Sequence, residues 1–193
     1  MELSRQKQQL REQMRHRFSL VSSQQLASDS LAIVKRILEL PVYKHSSLVL
    51  GFVPLADEPD VQVVYDTALA QGKSVGLPVA FAKGRLHFYS VSEKWRTSLE
   101  PNRWGIGEPK QEHAVSVDFS LHQSILLLVP AVAFTVHKER LGRGKGYYDR
   151  FLATSLPTMR AVGVCFEHQV VENLPTAKND RPVDILVTPK TVF

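Results

Sequence analysis

The sequence predicts an α/β fold, a single domain in which helices flank both faces of a mostly parallel sheet, preceded by an N-terminal helical pair. Short apolar runs typical of buried strands alternate with helical patterns along the chain. The strongest run, SILLLVP at 124–130, is apolar on both faces, as central parallel strands are. The chain has 193 residues, of which 44% are hydrophobic, enough to form a core without disulfides. We therefore expect residues 1–193 to form one domain.

Local patterns predict the elements in chain order. Apolar residues at helical spacing indicate the first helix: Leu3, Leu10, Met14 and Phe18. A second helix begins after Ser22, where Gln25 suggests a capping box, and Pro41 ends it. Further strands are expected at 47–53, 73–80, 85–90, 159–166 and 184–189, and further helices at 61–71 and 147–155. Asp60 is a candidate N-cap, and the polar segment 92–118 is expected to be mostly loop.

The composition indicates in which compartment the protein works and which kinds of partner it binds. Cys165 is the one cysteine, so no intrachain disulfide can form and a reducing compartment is expected. The longest apolar run, 125–134, is too short to span a membrane and contains Pro130. The first 20 residues lack the apolar stretch of a signal peptide. We therefore expect a cytoplasmic protein without a membrane partner, and its net charge of +5 favours anionic ligands.

The segment RLGRGKGYYDR, which begins at Arg140, concentrates the chemistry of the chain. Alternating glycines allow successive N–H groups to point into one concavity that binds anions, and the N-terminus of a helix follows. Arg143 and Lys145, which separate the glycines, add full positive charges. The Walker A pattern is absent, and Tyr147 stands where a dinucleotide fingerprint needs glycine. We interpret the segment as a polyphosphate site; the alternative is a glycine-rich surface turn with solvated basic residues.

Two carboxylates are candidates for a magnesium site. Asp149 lies one turn into the helix that follows the glycines, and magnesium bound to phosphates takes one or two protein carboxylates. Asp184, at the start of the last strand, is a candidate second ligand. The alternatives are a first-turn acid favoured by the helix dipole for Asp149 and an ordinary loop acid for Asp184.

The first helix carries a basic stripe. Lys7, Arg11 and Arg15 are spaced four residues apart and share one face. Such a stripe is usually a solvated surface, and it gains functional meaning only if the helix packs beside the glycines.

RLGRGKGYYDR, together with LVPAVAF at 128–134, resembles the signature of the 5-formyltetrahydrofolate cyclo-ligase (5,10-methenyltetrahydrofolate synthetase) family. Weaker similarities extend the resemblance over nearly the whole chain, in order: Lys7-x-x-Leu10-Arg11, GFVPLADEPD at 51–60, WGIGEP at 104–109 and PVD at 182–184.

The resemblance implies cyclisation of 5-formyltetrahydrofolate to 5,10-methenyltetrahydrofolate, dependent on ATP and Mg²⁺. The formyl oxygen would be phosphorylated, and ADP and phosphate would be released. The substrate would be a small folate, with or without a polyglutamate tail. We expect a monomer with no nucleic-acid partner.

The resemblance also implies the site residues. Arg143 and Lys145 would be catalytic. ATP would contact Lys7, Gln8, Gln9, Leu10 and Arg11, and also Arg140, Leu141, Gly142, Arg143, Gly144, Lys145, Gly146, Tyr147 and Tyr148. The folate would contact Val53, Glu58, Trp104, Arg143, Gly144, Lys145, Gly146 and Tyr147. Magnesium would be held by Asp149 and Asp184.

Three positions depart from the family pattern, all before the glycines. Thr135 stands where the family usually has Asp, Lys138 where it usually has Gly, and Ala131 replaces a common Gly. The first two changes make the geometry of this turn a question for the structure.

Two other functions stay open. One is a paralogue of the same fold that binds ATP but acts on another substrate or is inactive, motivated by Thr135. The other is a basic nucleic-acid-binding module, motivated by Tyr147 and Tyr148 among basic residues, although no known nucleic-acid motif is present. The seven histidines lack zinc-site spacing, and no partnered Ser or Cys suggests a hydrolase triad.

Overall fold

The computed structural model describes residues 2–102, 105–110, 114–154 and 156–193. The α-helices there are α1 (Glu2–Ser19), α2 (Ser23–Glu39), α3 (Pro41–His45), α4 (Gln62–Ala70) and α5 (Tyr147–Leu152). The strands are β1 (Leu48–Leu50), β2 (Ser74–Phe81), β3 (Arg85–Val91), β4 (Leu99–Pro101), β5 (Gly107–Pro109), β6 (Ile125–Pro130), β7 (Ala133–Phe134), β8 (Arg140–Leu141), β9 (Met159–Val164) and β10 (Ile185–Val187). None of the helices in these segments is both long and apolar enough to cross a bilayer.

Six of the strands form one sheet in the order β10-β9-β6-β1-β2-β3. All neighbours are parallel except β2 and β3, which form an antiparallel hairpin at one edge. The predicted α/β fold with a mostly parallel sheet is confirmed. From β1 the chain moves outward to β2, whereas β6 lies on the other side of β1 and continues to β9 and β10. The pair β1 and β6 is therefore the topological switch point, where open α/β sheets bind ligands at the carboxyl ends of the strands.

Apolar side chains cover both faces of this sheet. One face packs against α2, α3 and α4 through residues such as Ile33, Ile37 and Tyr65. The other packs against α5, whose Tyr148, Phe151 and Leu152 contact it. Burial of alternate strand residues on opposite faces explains why the central strands are apolar throughout.

The two N-terminal helices form as expected, but they pack on different parts of the molecule. The Oγ of Ser22 accepts a hydrogen bond from the N–H of Gln25 at 3.2 Å, which caps α2. α2 packs on the sheet, whereas Met14 of α1 packs against Ala133 and Leu141 of the β7–β8 hairpin. Because α1 packs on this hairpin, it lies beside the segment that follows β8.

Several strand predictions differ from the structure, and the strands predicted at 159–166 and 184–189 end earlier, at Val164 and Val187. The strand predicted at 47–53 stops at Leu50, because the hydroxyl of Tyr65 donates to the carbonyl of Phe52 at 2.8 Å and accepts from its N–H at 2.9 Å. The ring of Tyr65 fills the space that a side chain at Gly51 would need. The segment 92–118, predicted as mostly loop, contains the short hairpin β4–β5.

The helix boundaries differ in detail. The N-cap of α4 is Val61, and Asp60 instead accepts a hydrogen bond from the N–H of Gln62 at 3.0 Å. The helix predicted at 147–155 ends at Leu152.

Candidate active site

A cavity of about 400 Å³, the main cavity, lies at the switch point of the sheet. Residues that follow β1, from Phe52 to Glu58, form one wall, and Pro130 and Ala131 at the end of β6 form another. The cavity is therefore placed by the topology, at the carboxyl ends of adjacent parallel strands.

Apolar walls and a few converging polar groups line the main cavity, as in sites for small organic ligands. The apolar lining includes Phe52, Val53, Leu55, Pro78, Ala80, Leu86 and Ile106. The polar lining includes Glu58, Asn102, Glu108, Arg140, Arg143, Lys145, Tyr147, Tyr148 and Asp149. Sequence reasoning missed Asn102 and Glu108; the one signal for Glu108 was its position in the WGIGEP segment.

Asn102 and Glu108 line the main cavity and are joined to each other and to β2 by hydrogen bonds. Oε1 of Glu108 accepts from the side-chain amide of Asn102 at 2.8 Å and from the N–H of Ala80 at 3.1 Å. These bonds tie the β4–β5 hairpin to β2. Trp104, predicted to contact substrate, lies outside the described residues.

The segment 142–146, the glycine loop, forms the floor between the main cavity and a second depression. Gly144 and Gly146 have φ values of +99° and +67°, a region that side chains rarely adopt. A side chain at Gly142 would crowd the guanidinium of Arg140. The alternating glycines thus allow the tight path of the loop.

The second depression, the polar groove, has a volume of about 550 Å³ and lies on the other side of the glycine loop. Helix α1 and residues 179–181 supply its walls. Its lining includes Lys7, Arg11, Arg140, Leu141, Gly142, Gly144, Gly146, Asp149, Arg150, Asn179, Asp180 and Arg181. The lining is rich in cations, which suits an anionic ligand.

The basic stripe of α1 packs beside the glycine loop. The Nε of Arg11 donates to the carbonyl of Gly142 at 2.9 Å, and the Nζ of Lys7 donates to Asp180 at 2.5 Å. Burial lowers the pKa of the Arg11 guanidinium, and the negative charge of Asp180 opposes that shift. The first helix thus packs beside the glycine loop, so the stripe stays a candidate ligand contact. Asp180 had no signal in the sequence.

Other predicted contacts on α1 lie elsewhere. Gln8 lines a smaller cavity of about 240 Å³, which it shares with Arg143 and Asp57. Leu10 packs in the apolar cluster around Met14, and Gln9 is exposed.

Glu58 and Arg143 meet at the edge of the main cavity. The buried carboxylate of Glu58 accepts from Nε and Nη2 of Arg143 at 3.1 and 3.0 Å, and from the N–H of Leu55 at 3.0 Å. Asp57 also pairs with Arg143, at 2.5 Å. Burial raises the pKa of Glu58, and the guanidinium of Arg143 opposes that shift.

The two acidic partners of Arg143, Asp57 and Glu58, stabilise its positive charge. Burial lowers its pKa, but the hydrogen bonds and charges of Asp57 and Glu58 outweigh burial, so that the net pKa is raised. Burial also raises the pKa of the Tyr148 hydroxyl, and the charge of Glu58 adds to the effect. Tyr148 is therefore a neutral phenol at physiological pH.

The two candidate magnesium ligands lie in different surroundings. Asp149 lines both the main cavity and the polar groove, and its Oδ1 pairs with Arg140 at 2.5 Å and accepts from the N–H of Arg181 at 3.2 Å. Asp184 lines a separate small cavity, where its Oδ2 accepts from the N–H of Ala161 at 2.7 Å. The structure does not bring these two carboxylates into one cavity.

The turn that departs from the family pattern is well formed. The N–H of Thr135 donates to the carbonyl of Glu139 at 3.1 Å, and its Oγ1 accepts from the N–H of Glu139 at 3.3 Å. Lys138 occupies the left-handed region with φ of +71°, which explains a preference for glycine there. The replacements preserve the β7–β8 hairpin that leads into the glycine loop.

Comparison with known proteins identifies the family of this chain. Residues 3–189 match the model of the 5-formyltetrahydrofolate cyclo-ligase family. The chain belongs to this family. The 5-formyltetrahydrofolate cyclo-ligase of Escherichia coli strain K12 is 33% identical over 161 residues, covering 82% of this chain and 86% of its own. The 5-formyltetrahydrofolate cyclo-ligase of Haemophilus influenzae is 32% identical over 186 residues, covering 94% of this chain and 97% of its own.

A solved structure shows the same architecture. The NMR structure of Aquifex aeolicus 5,10-methenyltetrahydrofolate synthetase superimposes with a TM-score of 0.81 at 32% identity, covering 96% of this chain and 91% of that one. The sequence-based assignments of family and of enzyme class, a cyclo-ligase, are confirmed.

Proposed function

We propose that this chain cyclises 5-formyltetrahydrofolate to 5,10-methenyltetrahydrofolate, using ATP and Mg²⁺ and releasing ADP and phosphate. One observation carries the proposal: the glycine loop separates an apolar cavity that contains Glu58 from a cation-rich groove. A flat folate ring and a triphosphate would therefore reach the same loop from opposite sides.

The main cavity suits the folate. Its volume of about 400 Å³ lies within the usual range for small-ligand sites, and its walls are mostly apolar. A pterin ring presents adjacent N–H donors, and the carboxylate of Glu58 can accept two of them. Val53 and Tyr147 line the same cavity and would contact the ring.

The polar groove suits the triphosphate. Lys7 and Arg11 reach it from α1, Arg140 from β8, and the glycine loop borders it. Arginine donates in a planar fork that matches phosphate oxygens, and lysine acts as a compact point charge. Arg181 would be a further phosphate contact, one that the sequence did not suggest.

The reaction requires positioning and charge stabilisation rather than a nucleophilic side chain. The formyl oxygen would attack the γ-phosphorus, and the bond to the bridging oxygen would break with ADP as the leaving group. The neighbouring folate amine would then attack the activated formyl carbon and lose its proton to the departing phosphate or to solvent. The C–O bond would break, and phosphate would leave as the ring closes. Arg143 and Lys145, which line the main cavity, would stabilise the charge that develops on the folate side.

Of the two predicted ligands, Asp149 would hold magnesium beside the proposed triphosphate. No described cluster of three or more His, Cys, Asp or Glu residues can hold a metal by itself. Magnesium on phosphates needs only one or two protein carboxylates, however, and Asp149 borders the groove. Bound magnesium would neutralise phosphate charge. Asp184 does not border the polar groove; it lines a separate small cavity, where its Oδ2 accepts from the N–H of Ala161.

Absorbance of the methenyl product tests the function directly. Purified protein with 5-formyltetrahydrofolate should form product only when ATP and magnesium are both present. ATP binding without product would favour the paralogue with another substrate. Steeply salt-dependent RNA binding instead of turnover would favour the nucleic-acid module.

Variants of the two acids separate their roles. We expect Asp149→Asn to raise the magnesium concentration needed for half-maximal activity, whereas Asp184→Asn should leave that requirement near the wild-type value. A larger effect at Asp184 would place the metal ligand there instead.

A further inference from the structure

The side chain of Arg150 joins the glycine loop to the turn between β2 and β3, residues 82–84. Arg150 belongs to α5, and its Nε donates to the carbonyl of Gly84 at 2.9 Å. Its Nη2 donates to the carbonyl of Lys145, inside the glycine loop. These two hydrogen bonds, the Arg150 bridge, connect backbone segments that are far apart in the chain, and no pattern in the sequence predicted them.

Two glycines leave the space that the Arg150 bridge occupies. Gly84 and Gly146 have φ values of +71° and +67°, in the region that favours glycine. A Cβ atom at Gly84 would overlap Nη2 and Cζ of Arg150, and one at Gly146 would lie 3.0 Å from Nη1. A side chain at Gly84 would therefore displace the guanidinium from the carbonyls that it contacts.

The bond to Lys145 fixes the direction of one peptide group in the glycine loop. None of the described peptide bonds is cis, and in a planar trans peptide the C=O and N–H point in opposite directions. Because Arg150 holds the carbonyl of Lys145 on its own side, the N–H of Gly146 points away from the guanidinium. Lys145 lines the main cavity, and Gly146 borders both that cavity and the polar groove. The bridge therefore sets the backbone direction where the two sites meet.

Other side chains hold the beginning of the glycine loop. The Nε of Arg11 donates to the carbonyl of Gly142, and Arg143 pairs with two acids of the loop after β1. These contacts act on residues 142 and 143, whereas Arg150 acts on Lys145. Loss of the bridge should thus change the end of the loop and leave its beginning in place.

We propose that Arg150 is a positioning residue, which holds the peptide group between Lys145 and Gly146 in the orientation that the reaction requires. Arg150 borders the polar groove, but it acts through the carbonyl of Lys145 rather than on the nucleotide. This inference rests on the proposed function, which supplies the reaction. Arg150 is exposed, and substitutions of exposed side chains usually change stability little, so its role is distinct from folding.

Two variants break the bridge in different ways. Arg150→Ala removes the guanidinium, and Gly84→Ala displaces it while the arginine stays in the chain. Each should lower kcat by about 10- to 100-fold, because a misplacement of about 1 Å can cost a factor of about 100. The double variant should be no worse than the more affected single variant, since both changes remove the same interaction.

Two further quantities separate positioning from a merely structural role. The KM for 5-formyltetrahydrofolate should change by less than about threefold, because the bridge holds neither Val53 nor Glu58, on the loop after β1. The Tm of Arg150→Ala should stay within about 2 °C of the wild-type value. Initial rates at saturating ATP and thermal unfolding measure these quantities.

The chain offers a matched control for each variant. Gly72 has a φ of +73°, and no atom of the described residues outside its chain neighbours lies within 4 Å of the position of a Cβ there. Gly72→Ala therefore introduces the same backbone strain as Gly84→Ala without displacing an arginine. Arg85→Ala removes an exposed arginine beside Gly84. Both controls should retain the wild-type kcat.

The pattern of kcat values decides the proposal. A loss in Arg150→Ala without a loss in Gly84→Ala would overturn it, because Arg150 would then act on the nucleotide directly. Losses that multiply in the double variant would contradict a shared bridge. An equal loss in Gly72→Ala would assign the effect of Gly84→Ala to backbone strain.

A measurement without turnover separates this proposal from the proposed function. In ¹⁵N-labelled protein without ligand, the amide resonance of Gly146 should shift in Arg150→Ala and in Gly84→Ala, because the neighbouring carbonyl loses its donor. Gly72→Ala should leave this resonance unchanged. An unshifted Gly146 resonance in both bridge variants would overturn the positioning role. The proposed function fails separately, when the wild-type protein forms no methenyl product.

Discussion

The guanidinium of Arg143 donates from both Nε and Nη2 to a single oxygen of Glu58, although the two residues are 85 positions apart in the chain. This pair joins the loop after β1 to the glycine loop across the edge of the main cavity. Glu58 is therefore already paired in this structure. Under the proposed function, the pterin donors would have to share or replace the guanidinium, and substrate binding would be coupled to the position of Arg143 through one buried carboxylate.

Glu58→Gln should lower kcat/KM for 5-formyltetrahydrofolate by about 10- to 100-fold, because a hydrogen bond to a charged acceptor contributes roughly 1.5–3 kcal/mol. Initial rates at varied folate and saturating ATP measure the effect. The exposed acid Glu93 offers a control, and Glu93→Gln should behave as wild type. Equal kcat/KM values for Glu58→Gln and the control would remove Glu58 from the substrate site.

The activity should depend on pH through the same carboxyl. Glu58 must be ionised to accept two donors, and burial raises its pKa despite the opposing charge of Arg143. As pH falls, kcat/KM for the folate should therefore decline at a higher pH than an ordinary glutamate would cause. The pH profile of Glu58→Gln should lack this decline. If the variant still shows the decline, another group causes it.

Arg11→Ala should weaken binding of adenylyl-imidodiphosphate by about tenfold, because the variant loses a charge beside the groove and the Nε bond to the carbonyl of Gly142. Arg15→Ala is the matched control, since Arg15 shares the stripe but does not border the polar groove. Calorimetric titration of both variants checks the prediction. Similar losses in both would indicate a general charge effect rather than a contact at the groove.

Lys138→Gly should stabilise the protein. Lys138 holds a φ of +71°, and left-handed backbone costs a non-glycine residue about 1–2 kcal/mol, of which the added flexibility of glycine cancels part. We expect a Tm about 1–4 °C higher in thermal unfolding. Lys35→Gly, at an exposed position inside α2, should instead lower the Tm. A lower Tm for Lys138→Gly would show that the lysine side chain contributes more than the backbone strain costs.

Acidification should loosen the contact between α1 and the segment after β9. His168 stacks on Phe166 and lies 6.2 Å from Phe18, and burial lowers its pKa although Asp29 opposes the shift. The imidazole of His168 therefore binds a proton less readily in the folded state than in the unfolded state. The contribution of His168 to stability is present above its ordinary pKa near 6.5 and is lost as pH falls below it.

Urea unfolding between pH 7.5 and 5.5 measures that loss, and His168→Gln should reduce it. His45 is exposed, so His45→Gln should retain the wild-type pH dependence. Equal pH dependence in both variants would exclude His168 as the cause.

Local signals in the sequence predicted much of the fold and part of the site. The apolar run at 124–130 became β6 because a strand that is buried on both faces must be apolar throughout. Alternating glycines indicated the path of the loop, since Gly144 and Gly146 adopt positive φ. The hairpin β4–β5 was missed because strands of three residues have too few positions to show a period.

The sequence by itself determined which residues have the chemistry, because charge, backbone freedom and periodicity are local properties. Only the tertiary structure decided which of them meet. It paired Arg143 with Glu58 and Lys7 with Asp180, and it turned Asp184 towards Ala161. These relationships depend on the order of the strands and on the packing of α1 against the β7–β8 hairpin, which bring together groups that are far apart in the chain.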